Sequence, residues 1–318
     1  MLQLKNMNHE EKIILAIHKI LPQAMIGSIQ KFSKGLSSSV FKVEIHNPDK
    51  ILVVKFFPKK IEARVEKSAL ISNYVGENNI PSPHTYDITK GEEEGWVVMD
   101  CLPGNVASEA WETATIENQC SILINAGAML KRIHDLKIPP FWIHQKHEIA
   151  SQKEWIEWTR LRIKKYLVAA EINLDKDLVD FLKIKFTRLQ ELYDTHSDFH
   201  FVPLHWDYHL SNINVNEKGE VVGVFDFDNA MKGHDMADIG QTVYWLALQK
   251  VSKTEVFENL FMGYGKPSQV DREFVYLHFL LFLAGVMRST WPKDDLKWLN
   301  NSHVDILKKC AQGDYLFN

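Results

Sequence analysis

The chain has 318 residues, 45% hydrophobic and 25% charged, with 37 Lys and Arg against 41 Asp and Glu for a formal net charge of −4. This composition excludes global disorder, and the slight acidic surplus excludes a dedicated nucleic-acid binder, which needs basic excess to neutralise phosphates. The length predicts two domains or one large one.

Three scattered cysteines, Cys101, Cys120 and Cys310, form no C-x-x-C pair, and their sparse, odd number suits a reducing compartment. No apolar run precedes a small-residue cleavage site near the N-terminus, and the longest apolar stretch, 279–287, is too short to span a bilayer. A soluble, cytoplasmic protein without membrane partners is expected.

In chain order, helical spacing over 10–20 predicts a leading helix. Residues 31–44 and 50–57 carry β-branched and aromatic side chains around Gly35 and the turn-like Asn47-Pro48-Asp49, predicting three strands. Helical spacing returns over 61–75. Ile80-Pro81-Ser82-Pro83 must be extended, because each proline disfavours helix before it. Strands are predicted at 85–88 and 96–99. Past Leu102-Pro103-Gly104 the pattern turns helical over 117–136, 153–170, 176–195, 239–250 and 272–287, interrupted by one hairpin at 213–225. The expected architecture is α+β: a small antiparallel β lobe over 1–100 and a larger, mainly helical lobe over 101–318.

The chemistry concentrates in His205-Trp206-Asp207-Tyr208-His209-Leu210-Ser211-Asn212, followed by Asp226-Phe227-Asp228. In phosphoryl transfer a loop Asp meets the acceptor hydroxyl, an Asn five positions on binds Mg²⁺, and an Asp after a strand completes the metal site. The physical demand is plain. A transferring phosphate needs a cation held by hard oxygen ligands, and a carboxylate must orient the attacking hydroxyl. Asp207, Asn212 and Asp226 fit these roles. Upstream, Lys55 lies in the apolar run Ile51 to Phe57, where a charge needs a partner. Glu66, in the next predicted helix, is the expected partner. The loop Gly35-Leu36-Ser37-Ser38-Ser39 can present N–H groups and hydroxyls to phosphates.

These residues resemble the aminoglycoside phosphotransferase and choline kinase-like family, the small-molecule branch of the protein-kinase-like fold, over most of the chain. The resemblance implies that the Ser37–Ser39 loop covers the phosphates of ATP. It implies that Lys55 clamps the α/β-phosphates with Glu66 positioning it, and that Asn212 and Asp226 hold Mg²⁺ while Asp207 is catalytic. Val97-Val98-Met99-Asp100-Cys101-Leu102-Pro103-Gly104 resembles the hinge. There the Asp100 carbonyl and Leu102 N–H would read the adenine edge, with Met99 as gatekeeper. The family usually has a small residue where this chain has Trp206. Asp228 replaces the glycine of protein kinases, no A-P-E triplet follows Asp226, and Asp238 comes only 12 residues later, leaving little room for an activation loop.

A small hydroxylated acceptor is therefore expected, an amino-bearing antibiotic first, with a metabolite of the choline, homoserine or sugar type as the alternative. Asp228, Trp206 and His209 are candidate acceptor contacts. A cationic acceptor would call for an acidic pocket, with Asp228, Asp235 and the helices after Asp238 as candidates. His205-x-Asp207-x-His209 also fits a transition-metal hydrolase, and a nucleotide-binding regulator without turnover is a further alternative. Trp155 and Trp158 read as a buried helix face rather than a ligand box.

Overall fold

A computed structural model describes residues 7–32, 39–143, 149–248, 254–290 and 297–313, with the side chains of 254–257 and 297–300 outside the description. The chain divides into two compact units, Met1–Gly104 with Val222–Asn229, and Asn105–Val221 with Ala230–Asn318.

The first unit opens with helix α1 (His9–Ile20), started by a capping box in which Asn8 and Glu11 satisfy each other's backbone N–H. Five antiparallel strands follow: β1 (Ile26–Lys31), β2 (Val40–His46), β3 (Asp49–Pro58), β4 (Thr85–Thr89) and β5 (Glu94–Asp100), in the order β1-β2-β3-β5-β4. Helix α2 (Glu62–Glu77) is inserted between β3 and β4. Alternation on central β3 sends Leu52, Val54 and Phe56 into a core with Ile13 and Ile17 of α1. The opposite face carries Lys55 and Phe57, the latter packed with Val65 of α2 and Val97.

The Pro81–Pro83 segment is extended and tied to α2 by Ser72, whose hydroxyl donates to the Pro83 carbonyl at 2.6 Å. Strand β9 (Val221–Val224) contributes most of its length to this unit, Val224 N–H donating to the Pro81 carbonyl at 2.8 Å. A 3₁₀ turn, Phe227–Asn229, follows.

In the second unit β6 (Asn105–Val106) pairs with β8 (Ile213–Val215), and β7 (Phe201–Leu204) with β10 (Met231–His234), both antiparallel. The helices are α3 (Ala107–Thr113), α4 (Ile116–His134), α5 (Gln152–Asn173), α6 (Lys176–Thr195), α7 (Asp235–Leu248), α8 (Thr254–Tyr264), α9 (Gln269–Thr290) and α10 (Lys297–Ala311). Helices α4 and α8 meet backbone to backbone: a Cβ on Gly127 would lie 2.1 Å from the Leu260 carbonyl oxygen. Among the described residues no helix is long and apolar enough to cross a membrane.

Candidate functional site

The first unit carries a charged cluster. Lys55, on the α2 face of β3, places Nζ 3.4 Å from Asp226 Oδ1 and 3.7 Å from Asp228 Oδ2. Asp228 is also faced by Arg64 Nε at 3.6 Å, and its backbone carbonyl accepts from Lys67 Nζ at 3.1 Å. Burial alone would push the Lys55 ammonium down, but the Asp226 and Asp228 carboxylates outweigh it and hold it above the ordinary lysine range. Burial raises the Asp228 carboxyl, helped by neighbouring Asp226 and opposed by Lys55, Ser68 and Arg64. Burial also lowers Lys67 to about 8 against the pull of Asp228. Asp226 itself has φ +66°, a left-handed backbone that an aspartate tolerates better than most residues.

Glu66 is not brought to Lys55. Its carboxylate pairs with Lys90 Nζ at 2.6 Å, alongside Glu62 at 3.2 Å. The helix period explains this: Arg64, Lys67 and Ser68 share the face toward Asp228, whereas Glu62 and Glu66, one turn apart, share another. The expected Lys55 partner is replaced by two carboxylates from the 226–228 segment.

Ser37 and Ser38 lie outside the described residues. Ser39 is described, its carbonyl accepting from Phe56 N–H at 2.8 Å. Met99 is half-buried against Phe57, Val65 and Val97. The Asp100 carboxylate ties the strand ends together, accepting from Tyr86 Oη at 2.8 Å and pairing with Lys50 at 3.2 Å. Leu102 is half-buried just past β5.

In the second unit the loop after β7 hangs from α7. Asp238, fully buried, accepts the N–H of His205 at 2.8 Å and of Trp206 at 2.9 Å, and lies 3.1 Å from His134 Nε2. Gln241 Nε2 donates to the Trp206 carbonyl at 3.0 Å and the Thr242 hydroxyl to the Tyr208 carbonyl at 2.9 Å. Positions 238, 241 and 242 form one helix face, so a single face of α7 fixes the loop that presents Asp207.

Asn212 ends a 3₁₀ turn, Leu210–Asn212, and donates Nδ2 to the Asp207 carbonyl at 2.9 Å. With its amide nitrogen turned inward, its Oδ1 is the atom suited to a cation. His209 serves the loop: its Nδ1 accepts Ser211 N–H at 3.2 Å, and its Nε2 is 3.1 Å from Asn212 Nδ2 and 3.6 Å from Asp207 Oδ1.

Residues 205–209 are not a strand, and among the described residues no group of three or more His, Cys, Asp or Glu can hold a metal ion. The hydrolase alternative therefore lacks its ligand set there. Two of the candidates for an acidic acceptor pocket are engaged elsewhere. Asp228 faces Lys55 and Arg64. Asp235 is 3% exposed, its carboxylate accepting from Tyr264 Oη at 3.2 Å and from Met236 N–H at 2.9 Å.

Trp206, at φ +57°, turns its ring onto Trp155 (centroids 5.6 Å apart, 87°) and lies 5.4 Å from the Arg162 guanidinium carbon. Trp155 is buried as expected, whereas Trp158 is half-buried and stacks with Arg162 at 4.4 Å. Sequence reasoning missed Arg162, Arg64, Lys67 and the loop-holding role of Asp238. A signal for Arg162 existed, since Trp158, Arg162 and Tyr166 recur every four residues along one helix.

The phosphotransferase enzyme family model matches residues 28–277. The chain belongs to this family, a small-molecule kinase on the protein-kinase-like fold. No curated protein sequence matches the chain. Among solved structures it is similar to aminoglycoside phosphotransferase APH(2'')-Ib bound to ADP, at 14% identity and TM-score 0.63 over 96% of this chain and 99% of that one. It is similar to the apoenzyme of macrolide 2'-phosphotransferase MphH from Brachybacterium faecium, at 12% identity and TM-score 0.63 over 94% and 98%. A putative fructosamine-3-kinase from Haemophilus somnus 129PT aligns at 13% identity and TM-score 0.61 over 92% and 96%.

Proposed function

We propose that the protein transfers the γ-phosphoryl group of ATP to an alcohol of a small hydroxylated molecule. The observation that carries this reading is the convergence of Lys55 and Asp226, 171 residues apart in sequence, at 3.4 Å. A strand lysine paired with an aspartate that follows a strand is the pairing that phosphoryl transfer uses to hold phosphate and cation.

Lys55 binds the α/β-phosphates, with Arg64 and Lys67 adding positive charge to the same cluster. The Ser37–Ser39 loop supplies phosphate donors, and the backbone of Asp100 and Leu102, beside Met99, reads the adenine. Asp226 and Asn212 supply hard oxygen donors that suit Mg²⁺, which when bound neutralises phosphate charge. Asp207 orients the acceptor hydroxyl and takes its proton as the acceptor oxygen bonds to the γ-phosphorus. The bond to the β,γ-bridging oxygen breaks, and ADP leaves with its electron pair. Most of the acceleration comes from positioning and electrostatics.

For the acceptor, the aminoglycoside and macrolide enzymes among the similar structures support an antibiotic, and the putative fructosamine-3-kinase supports a metabolite. The test is ADP release with MgATP across aminoglycosides, macrolides, amino alcohols, sugars and hydroxy acids, confirmed by mass of the phosphorylated product. Product formation that requires Asp207 and Asp226 is expected. Tight ATP binding with no turnover on any acceptor would favour the regulator instead.

A further inference from the structure

We infer that the acceptor carries an anionic oxygen group, a carboxylate or phosphate, held by Arg162 beside the catalytic loop; this rests on the phosphotransfer reading above. The argument lies wholly within the second unit. Arg162 on α5 is only 9% exposed. Its guanidinium carbon is 4.4 Å from the Trp158 ring centroid, 5.4 Å from Trp206 and 5.7 Å from Tyr166. Its Nε donates to Tyr166 Oη at 3.3 Å, while Nη1 is buried without a hydrogen-bond partner.

No carboxylate among the described residues pairs with it. The imidazoles nearby add no charge at neutral pH: burial lowers His234 to about 4, and burial with His234 and Arg162 itself drives His278 well below its ordinary value. A buried guanidinium fork with aromatic faces but no anion is an incomplete ion pair. Cation–π contact offsets part of the desolvation cost, and an unpaired buried charge is strongly unfavourable. A planar fork is the geometry that takes carboxylate or phosphate bidentately.

The three rings around Arg162, Trp158, Tyr166 and Trp206, are half-buried rather than fully buried. Gly285 lets Tyr166 close on α9, since a Cβ there would come within 2.9 Å of its ring. Trp206 is fixed at both ends of its peptide unit by Asp238 and Gln241 and immediately precedes Asp207. A group bound against Arg162 and Trp206 is thus held next to the residue that meets the hydroxyl. The same charge repels a polycation, so aminoglycosides are poor acceptors in this scheme.

The test uses the full chain with MgATP and matched pairs differing only in the anionic group: D-gluconate against D-glucitol, D-glycerate against glycerol, and glycerol 3-phosphate against glycerol, with kanamycin and choline as cations. Turnover is read as ADP release and binding as quenching of tryptophan fluorescence. The anionic member of at least one pair is expected to bind or react about tenfold or more better than its neutral partner, the size of one charge-assisted contact. Arg162→Met should erase that preference and Arg162→Lys restore part of it. If Arg162→Met does not fold, the wild-type pairs and Arg162→Lys still decide.

Equal response within every pair, no response to any anionic probe, or preference for kanamycin or choline overturns the inference, and turnover of the cations would leave the phosphotransfer reading standing. Arg162-dependent quenching by an anionic probe with no turnover of any acceptor would uphold the anion site and defeat the phosphotransfer reading.

Discussion

The loop presenting Asp207 and the cluster around Lys55 are built on opposite principles. The loop is held by neutral backbone groups donating to one buried carboxylate, Asp238, and by Gln241 and Thr242 of the same helix face. The Lys55 cluster sets Lys55 and Arg64 3.4–3.7 Å from the Asp226 and Asp228 carboxylates, with Lys67 on the Asp228 carbonyl at 3.1 Å and the Lys55 and Asp226 side chains 20% and 38% exposed. The first arrangement is complete without ligand and fixes geometry. The second is a set of partly exposed ion pairs, which under the proposed function would be exchanged for phosphate and cation. Positioning is bought with buried hydrogen bonds, and binding with pairs that can be given up.

The largest way to break this contrast is Asp207→Asn. It should lower phosphoryl transfer by roughly 10²–10⁴-fold while leaving the melting temperature near wild type, as measured by steady-state kinetics and calorimetry. Asp238→Ala should do the reverse in kind. Two backbone N–H groups and His134 lose a buried acceptor, costing about 3 kcal/mol of stability in denaturant titration.

Lys67 sharpens the comparison through pH. Its folded pKa of about 8 lies below the ordinary 10.5. Between those values the unfolded chain binds the extra proton, so this residue makes stability rise with pH across that window, and its burial cost is complete below it. The difference between wild type and Lys67→Met should change by up to about 3 kcal/mol from pH 8 to 10.5. A flat difference would show that Lys67 is not desolvated. The smallest effect belongs to Glu66→Gln. Its partner Lys90 and Glu66 itself are 51% and 38% exposed, so the change should cost less than about 0.5 kcal/mol and alter the KM for ATP less than about twofold. A tenfold rise would return Glu66 to the nucleotide site.

Much of this was legible locally. Helix α6 spans 176–195 as its spacing predicts, and α1, α2, α4, α5, α7 and α9 shift by a few residues at their ends. Strands β6, β7 and β10 escaped because two to four residues are too few for alternation to register. Asp207, Asn212, Asp226 and Lys55 could be singled out because phosphoryl transfer would require such a set, and the fold brings two of them, Lys55 and Asp226, within 3.4 Å. The partner of Lys55 could not be singled out, since a lysine eleven residues before a glutamate does not say which helix face that glutamate occupies.

That 222–229 joins the first unit rests on Val224 and Asp228 reaching residues more than 140 positions away, which no local pattern encodes. The setting of Arg162 depends on Trp206, 44 residues on, turning toward it.

Trp206 holds a bulky side chain in left-handed backbone, a conformation that costs on the order of 1–2 kcal/mol outside glycine. Glycine there would relax the chain and lift one aromatic wall from Arg162. Loss of the ring would also forfeit its packing on Trp155 and Trp158, so under the proposed role of Arg162 fold stability and acceptor choice are coupled at a single codon, and a directed-evolution campaign aimed at either should find the other moving at position 206.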